Sequence, residues 1–436
     1  MVEGADQYPP IMANVRTRAV SWLARHYIAR KQRTGFDLES IRFLPESTLV
    51  PLRRDGLDPV SGLGQLRSVT PISRVSLPLS FGVWLVTGYD EAKAVLGAGD
   101  EFSNELSNLV GKLEVPNGWT PGGLGFIDPP VHTRRRKLLT PEFTMRRLSR
   151  LTPRINGIVQ QQLDAMAAAE GPVDLMQAFA LPIPSLTICE LLGVPYEDRA
   201  DFQRLSSARF DLFGGAYAAT GAITESMAFL LDFVKKERSN PGDGLIGMLI
   251  REHGDEIDDT ELAGLADGTL TGGLETTASM LALGTIVLLR DAERRARIRE
   301  DDAAIGAFVE ELLRYLTVVQ LAFPRFARRD VEIGGVQVAK GDVVLVSLSG
   351  ANRDAALGPD MESFDPHREK IPSHLAFGYG MHRCIGAELA KMELRAAYPA
   401  LVRRFPNMRL AVAPEELSYR KLSIVYGVDE VPVHLG

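Results

Sequence analysis

Apolar residues recur at helical spacing through most of residues 129–320, and this period predicts a helix-rich body. Breaks at GPVD (171–174), LPIP (181–184), GVPYED (193–198) and SNPGDG (239–244) divide the body into separate helices. One long helix is expected over about 258–290 and a last one over about 386–403. Two stretches change to β character. ISRVSLPLSFGVWLVTGY (72–89) reads as a hairpin or two sheet strands, and VEIGGVQVAKGDVVLV (331–346) as strands turning at Gly334-Gly335. Asp90 is expected to cap a helix over 90–98. Residues 103–125, rich in Gly, Asn and Pro, are long for a simple connection and read as a functional loop. No repeat or Gly/Ser linker interrupts the chain. The pattern predicts one large, mainly helical domain with small β-sheets (α+β) over 37–436, preceded by a basic amphipathic extension over 1–36.

Composition adds exclusions. At 45% hydrophobic and 24% charged, the 436 residues can bury a large core. A net charge of −7 gives no global basic field, so nucleic acid is not expected as a partner. Two cysteines, Cys189 and Cys384, cannot build a disulfide framework and point to a reducing compartment. The longest uncharged apolar run, Thr276 to Leu289, is too short to cross a bilayer, and no secretory signal is expected. The chain therefore reads as cytoplasmic. Residues 12–34 complicate this, because they are basic, lack acids and carry Val15, Ala19, Trp22 and Leu23 at helical spacing. Peripheral contact with an anionic membrane and simple docking of a terminal helix through Trp22 both fit that pattern.

The most specific segment is Phe377-Gly378-Tyr379-Gly380-Met381-His382-Arg383-Cys384-Ile385-Gly386. Its glycines make a tight loop before a helix, and its cysteine sits where free N–H groups and the helix dipole favour a thiolate. A dinucleotide fingerprint fails because Arg383 stands where glycine is required. A zinc site fails because Cys189 is the only other thiol. A single thiolate on a large flat cofactor remains, and haem iron with an axial cysteine fits that description.

This segment resembles the FGxGxHxCxG signature of the cytochrome P-450 family of haem-thiolate monooxygenases, and four earlier segments match the family's other motifs in order. The resemblance implies the cytochrome P-450 fold, with haem b between a long distal helix and a proximal cysteine loop. Cys384 is then the iron ligand, with Phe377, Gly378, His382 and Gly386 around the cofactor. Glu311 and Arg314 match the family's ExxR motif, which Arg368 completes; taken alone they are a surface pair. Gly272-Gly273-Leu274-Glu275-Thr276-Thr277 resembles the distal acid–alcohol motif, with Glu275 and Thr276 as catalytic residues and Gly272 and Gly273 leaving room for the ring. Helix packing is the other reason for two glycines there. His132 and Arg136, in a DPPxHxxxR segment, and Arg325 match the residues that meet the haem propionates.

The same resemblance implies insertion of one atom of dioxygen into a lipophilic small molecule. Electrons come from NAD(P)H through a separate ferredoxin or flavodoxin and its reductase. The bases between His132 and Arg150 are the expected docking surface. Leu106, Val110, Phe213, Thr269, Val319 and Phe323 are candidate pocket walls, although each also fits a core position. A peroxide-driven enzyme and a non-enzymatic haem-thiolate sensor or carrier are the rival readings, and the Glu275-Thr276 pair speaks against both.

Overall fold

The computed structural model describes residues 49–436 apart from 78–79, 110–122, 209–217 and 371. The basic extension over 1–36, the membrane-contact segment over 12–34, Val110 and Phe213 lie outside the described residues. The twelve helices that organise the fold are α1 (Ser61–Val69), α2 (Tyr89–Gly97), α3 (Val131–Leu139), α4 (Thr152–Ala167), α5 (Pro182–Leu192), α6 (Arg199–Ala208), α7 (Ala218–Ser239), α8 (Leu245–His253), α9 (Asp259–Leu289), α10 (Ala292–Glu300), α11 (Ala304–Leu316) and α12 (Ala387–Arg404).

The spine is α9. Asp258 caps it by accepting from the Glu261 N–H at 2.7 Å, and acids at 259 and 261 suit the positive end of its dipole. It packs against α5, α7 and α12, and Tyr398 of α12 donates to the Met280 carbonyl at 2.5 Å. By length and composition α9 passes as a membrane span, contrary to the short apolar run seen in sequence. However, 78% of its apolar window is buried inside the protein, as in a core helix. Leu262, Ala266, Leu281 and Ile286 are fully or almost fully buried there. Each of the leucine and isoleucine side chains contributes roughly 1.5–3 kcal/mol.

The main sheet has five strands in the order β1 (Ile72–Val75), β2 (Val83–Val86), β8 (Val343–Val346), β5 (Arg325–Ala327), β3 (Phe102–Ser103). The strands predicted over 72–89 pair antiparallel, Ile72 opposite Val86, whereas β8 runs parallel to β2. β6 (Val331–Ile333) and β7 (Val336–Val338) form a hairpin at Gly334-Gly335, where both φ angles are positive. A small sheet joins β4 (Val173–Asp174), β9 (Arg409–Leu410) and β10 (Pro432–His434).

One local expectation needs correction. Helix α2 starts at Tyr89, with Gly88 rather than Asp90 at its N-cap. The Tyr89 N–H is accepted at 2.8 Å by Asp354, more than 260 residues away, so the cap is tertiary. Of the stretch over 103–125, residues 110–122 lie outside the described residues, and the described ends on either side are tied together. Asp128 accepts from the Ser103 hydroxyl, the Asn104 N–H and Arg328, and Asn104 reaches the Gly125 carbonyl at 2.9 Å.

Candidate active site

The cysteine loop is built by backbone bonds. Gly378 donates to the Leu375 carbonyl and Cys384 to the Phe377 carbonyl, each at 2.8 Å. Gly378 and Gly380 both hold positive φ. A Cβ on Gly380 would sit 2.5 Å from the Leu96 carbonyl oxygen, so no side chain fits there. Cys384 is a free, accessible thiol just ahead of α12. The protein mass around it pushes its pKa up, while the Gly386 N–H and the charges of Arg383 and Arg136 pull it down.

The loop rests on residues that sequence patterns did not single out. Glu310 receives Lys391 at 2.9 Å, His374 at 3.3 Å and Arg395 at 3.3 Å. Burial acts to raise its pKa, but bonds to His374 and Lys391 prevail and hold it at about 2. Lys391 also lies 5.7 Å over the Phe377 ring. Glu310 is the residue beside the ExxR acid, which is the one clue the sequence offered.

Glu311 and Arg314 are completely buried, not a solvated surface pair. Arg314 grips Glu311 with two 2.7 Å bonds and donates to the Asn352, Met361 and Ser363 carbonyls. Arg368 approaches Glu311 at 3.4 Å and ties down the Pro359 and Asp360 carbonyls. The network reaches the cysteine loop through Asn352, whose side-chain oxygen accepts from the Leu375 N–H at 2.6 Å.

On α9, Gly272 and Gly273 do different things. A Cβ on Gly272 meets nothing within 4 Å, and this residue is exposed although most of the helix is buried. A Cβ on Gly273 would lie 3.1 Å from Ile188 of α5, so this glycine serves close helix packing. Thr276 donates to the Gly272 carbonyl at 2.8 Å. Glu275 is buried and takes Arg420 at 2.8 Å, a partner 145 residues away.

The residues expected around the propionates converge. His132 of α3 is buried, with its ring 4.2 Å from that of His382. His132 Nε2 and His382 Nδ1 are buried without a hydrogen-bond partner. Burial, then the Arg136 charge, lowers the His132 pKa. Burial, His132 and Arg325 push that of His382 to about 3. Burial brings Arg325 down to about 10 against the opposing charge of Asp128. Arg136 is half-buried, and its pKa is lowered first by burial and then by Arg383, while Cys384 raises it. Two orphaned imidazole nitrogens beside buried guanidinium groups are suited to carboxylates. An accessible thiol and a bare stretch of helix at Gly272 suit a flat metal ring. The residues fit haem.

The pocket candidates separate. Leu106 is half-buried and packs against Val83, Phe326 and Val343 of the main sheet. Thr269 donates to the Leu265 carbonyl at 2.8 Å and is half-buried. Val319 forms a bridge with Val425. Phe323 is exposed and meets Phe126 edge-to-face at 4.7 Å. The basic stretch is also less free than its charges suggest, since Arg134 and Arg135 both bind Glu261 at the start of α9. Arg147 and Arg150 bind the buried Glu142.

The family model "Cytochrome P450" matches residues 216–416. The chain is 37% identical over 387 residues to cytochrome P450 165B3 of Amycolatopsis orientalis, covering 88% of this chain and 97% of that one. It is 39% identical over 380 residues to cytochrome P450 monooxygenase PikC of Streptomyces venezuelae, covering 86% and 91%. Its fold is similar to that of cytochrome P450 MoxA from Nonomuraea recticatena, with a TM-score of 0.81 and 37% identity over 88% of this chain and 96% of that one. Likeness over nearly the whole length of each relative, on top of a matching fold, places this chain in the cytochrome P450 monooxygenase family.

Proposed function

We propose that this P450 monooxygenase binds haem b through Cys384 and uses dioxygen to oxidise a lipophilic small molecule. One oxygen atom enters the substrate and the other leaves as water, with two electrons and two protons consumed. The observation that carries this reading is Thr276 with Glu275 on α9, one turn from the open position at Gly272. Bound haem supplies the activation of dioxygen. Cys384 would hold its iron, and His132, His382, Arg325 and Arg136 would hold its carboxylates. The Thr276 hydroxyl can turn from the Gly272 carbonyl to position a proton, which Glu275 replenishes. A peroxide-driven enzyme or a carrier has no use for that pair.

Electrons are to come from a ferredoxin or flavodoxin served by an NAD(P)H reductase. Phe143 lies against Gly386 beside Cys384, so the end of α3 and the turn after it border the cysteine loop. Lys137, Arg146 and Arg383 are exposed there and form the proposed docking face. Cys189 is buried and unpaired, in keeping with a cytoplasmic setting. Phe323 and Val319 are the described walls that best suit an apolar guest.

The test uses the haem-loaded enzyme with ferredoxin, reductase and NADH, and candidate substrates chosen from a lipid, terpenoid and macrolide set by their shift of the Soret band. Oxygenated product is expected, and Thr276→Ala should lower product per NADH about tenfold while peroxide accumulates. Binding without product, or an unchanged yield in the mutant, overturns the reading.

A further inference from the structure

We propose that Glu310 is a positioning residue for Phe377, and that the cluster it gathers sets the reduction potential at the cysteine loop. The inference rests on the reading given above that Cys384 binds haem iron.

Phe377 is tied to the cysteine by its backbone, because the Cys384 N–H donates to the Phe377 carbonyl at 2.8 Å. Two side chains lie against its ring. The ammonium of Lys391 on α12 is 5.7 Å from the ring centroid, inside cation–π range. The His374 ring is 6.1 Å away. One carboxylate on α11 fixes both neighbours. Glu310 Oε1 takes Lys391 at 2.9 Å, and its Oε2 lies 3.3 Å from His374 Nε2. The bonds of His374 also place its proton. The Ala376 N–H donates to His374 Nδ1 at 3.3 Å, so that nitrogen is an acceptor. The ring proton therefore sits on Nε2 and is donated to Glu310. Through His374, Glu310 holds the backbone one residue ahead of Phe377; through Lys391, it holds a cation beside the Phe377 ring.

The cluster acts on Cys384 in two separable ways. Its bonds hold the loop in place, whatever the oxidation state of the iron. Its charges act on reduction itself, which adds one negative charge beside Cys384. A nearby cation favours the reduced state and a nearby anion the oxidised one. Lys391 and Glu310 therefore pull the potential in opposite directions. Their fields are only partly screened, because the Lys391 side chain is 11% exposed and that of Glu310 29%. Glu388, 3.6 Å from Lys391, and Arg395, 3.3 Å from Glu310, are the other charges facing the pair.

The experiment compares Glu310→Gln and Lys391→Met with wild type, each haem-loaded and titrated with dithionite under redox mediators in the absence of substrate. At a fixed poise, Glu310→Gln should raise the ratio of ferrous to ferric protein about threefold, and Lys391→Met should lower it about threefold. Each change is a shift of about 30 mV, at about 59 mV per tenfold for one electron. A merely structural role loosens the loop in both variants and moves both potentials the same way. Any result other than opposite shifts overturns the proposal. The second readout is the half-life of the thiolate-type Soret band in the reduced carbon monoxide complex. His374→Phe removes the acceptor for the Ala376 N–H and should shorten that half-life about fivefold. His374→Asn, whose side-chain oxygen can accept from the N–H two residues on, should restore most of it. An unchanged half-life in His374→Phe overturns the positioning role. Should Lys391→Met not load haem, Lys391→Gln takes its place with the same expected sign. If the wild type lacks the thiolate band, the reading of Cys384 falls and takes this inference with it. A thiolate band with unmoved potentials removes this inference alone.

Discussion

Arg314 holds Glu311 by two bonds of 2.7 Å in a place where neither side chain reaches solvent. Its three remaining donations go to carbonyls of the segment 352–363, and Asn352 passes the constraint on to Leu375 at the start of the cysteine loop. The pair therefore does structural work: it fixes the surface that presents Cys384. Removing Glu311 strands the Arg314 charge, and removing Arg314 leaves Glu311 with only Arg368 and the Asp365 N–H; loss of one member of a buried pair costs about 3–5 kcal/mol. Glu311→Ala and Arg314→Ala should each cut the yield of haem-loaded protein severely, measured as haem per polypeptide after purification. Near-normal loading in either variant would mean that the segment 352–363 is held by other means.

Cys384→Ser tests the other end of that chain of bonds. The wild type, reduced under carbon monoxide, should show the red-shifted Soret band of a thiolate ligand, and the variant should lose it. The fold should survive, because the loop bonds at Gly378 and residue 384 are made by backbone atoms. A circular dichroism spectrum near that of the wild type is the check. A histidine-type Soret band in the wild type would remove Cys384 as the iron ligand.

The parts of the site legible in sequence are those fixed by local chain geometry. A loop that needs positive φ at two glycines and a cysteine at a helix start has few alternative spellings, and 377–386 spells it. The long helix was legible from its period, and the structure adds the Asp258 cap at its start. What could not be read were contacts made across the fold. Arg420 meets Glu275 from 145 residues away, and Glu261 meets Arg134 and Arg135 from more than 120. Neither pairing leaves a periodic trace in the sequence. Leu106 shows the opposite difficulty: an apolar residue carries no mark in sequence of which apolar surface it covers, and here it packs against Val83, Phe326 and Val343.

A pH prediction comes from Glu393 on α12. It is buried, its Oε2 has no hydrogen-bond partner, and burial pushes its pKa up to about 8 against the lowering effect of the nearby Thr187 hydroxyl. An acid whose pKa is raised by folding holds its proton in the native state where the unfolded chain has lost it. Stability should then fall as pH rises from about 4.5 to about 8, by about 1.4 kcal/mol per unit at most. Glu393→Gln is neutral at all these pH values and removes the effect. Its unfolding midpoint should exceed that of wild type at pH 8 and match it near pH 4.5. Parallel curves for the two proteins across this range would show that Glu393 does not titrate there.

The docking face can be tested because the structure divides the basic residues into engaged and free. Arg134 and Arg135 are committed to Glu261, and Lys391 to Glu310, so reversing them disturbs α9 or the cysteine loop as well as any partner. Lys137 and Arg146 are exposed, and reversing their charge leaves those anchors intact. Surface charge acts mainly on the encounter rate and is screened over about 8 Å at physiological ionic strength. Lys137→Glu and Arg146→Glu should each raise the apparent Michaelis constant for ferredoxin several-fold at low salt, by roughly 0.5–1 kcal/mol apiece. The difference from wild type should shrink as salt is added, while haem content and the substrate-induced Soret shift stay constant. If reduction by ferredoxin is as fast in both variants as in wild type at low salt, the partner does not approach over the end of α3. Arg383→Glu, whose side chain is exposed on the cysteine loop itself, would then locate the contact.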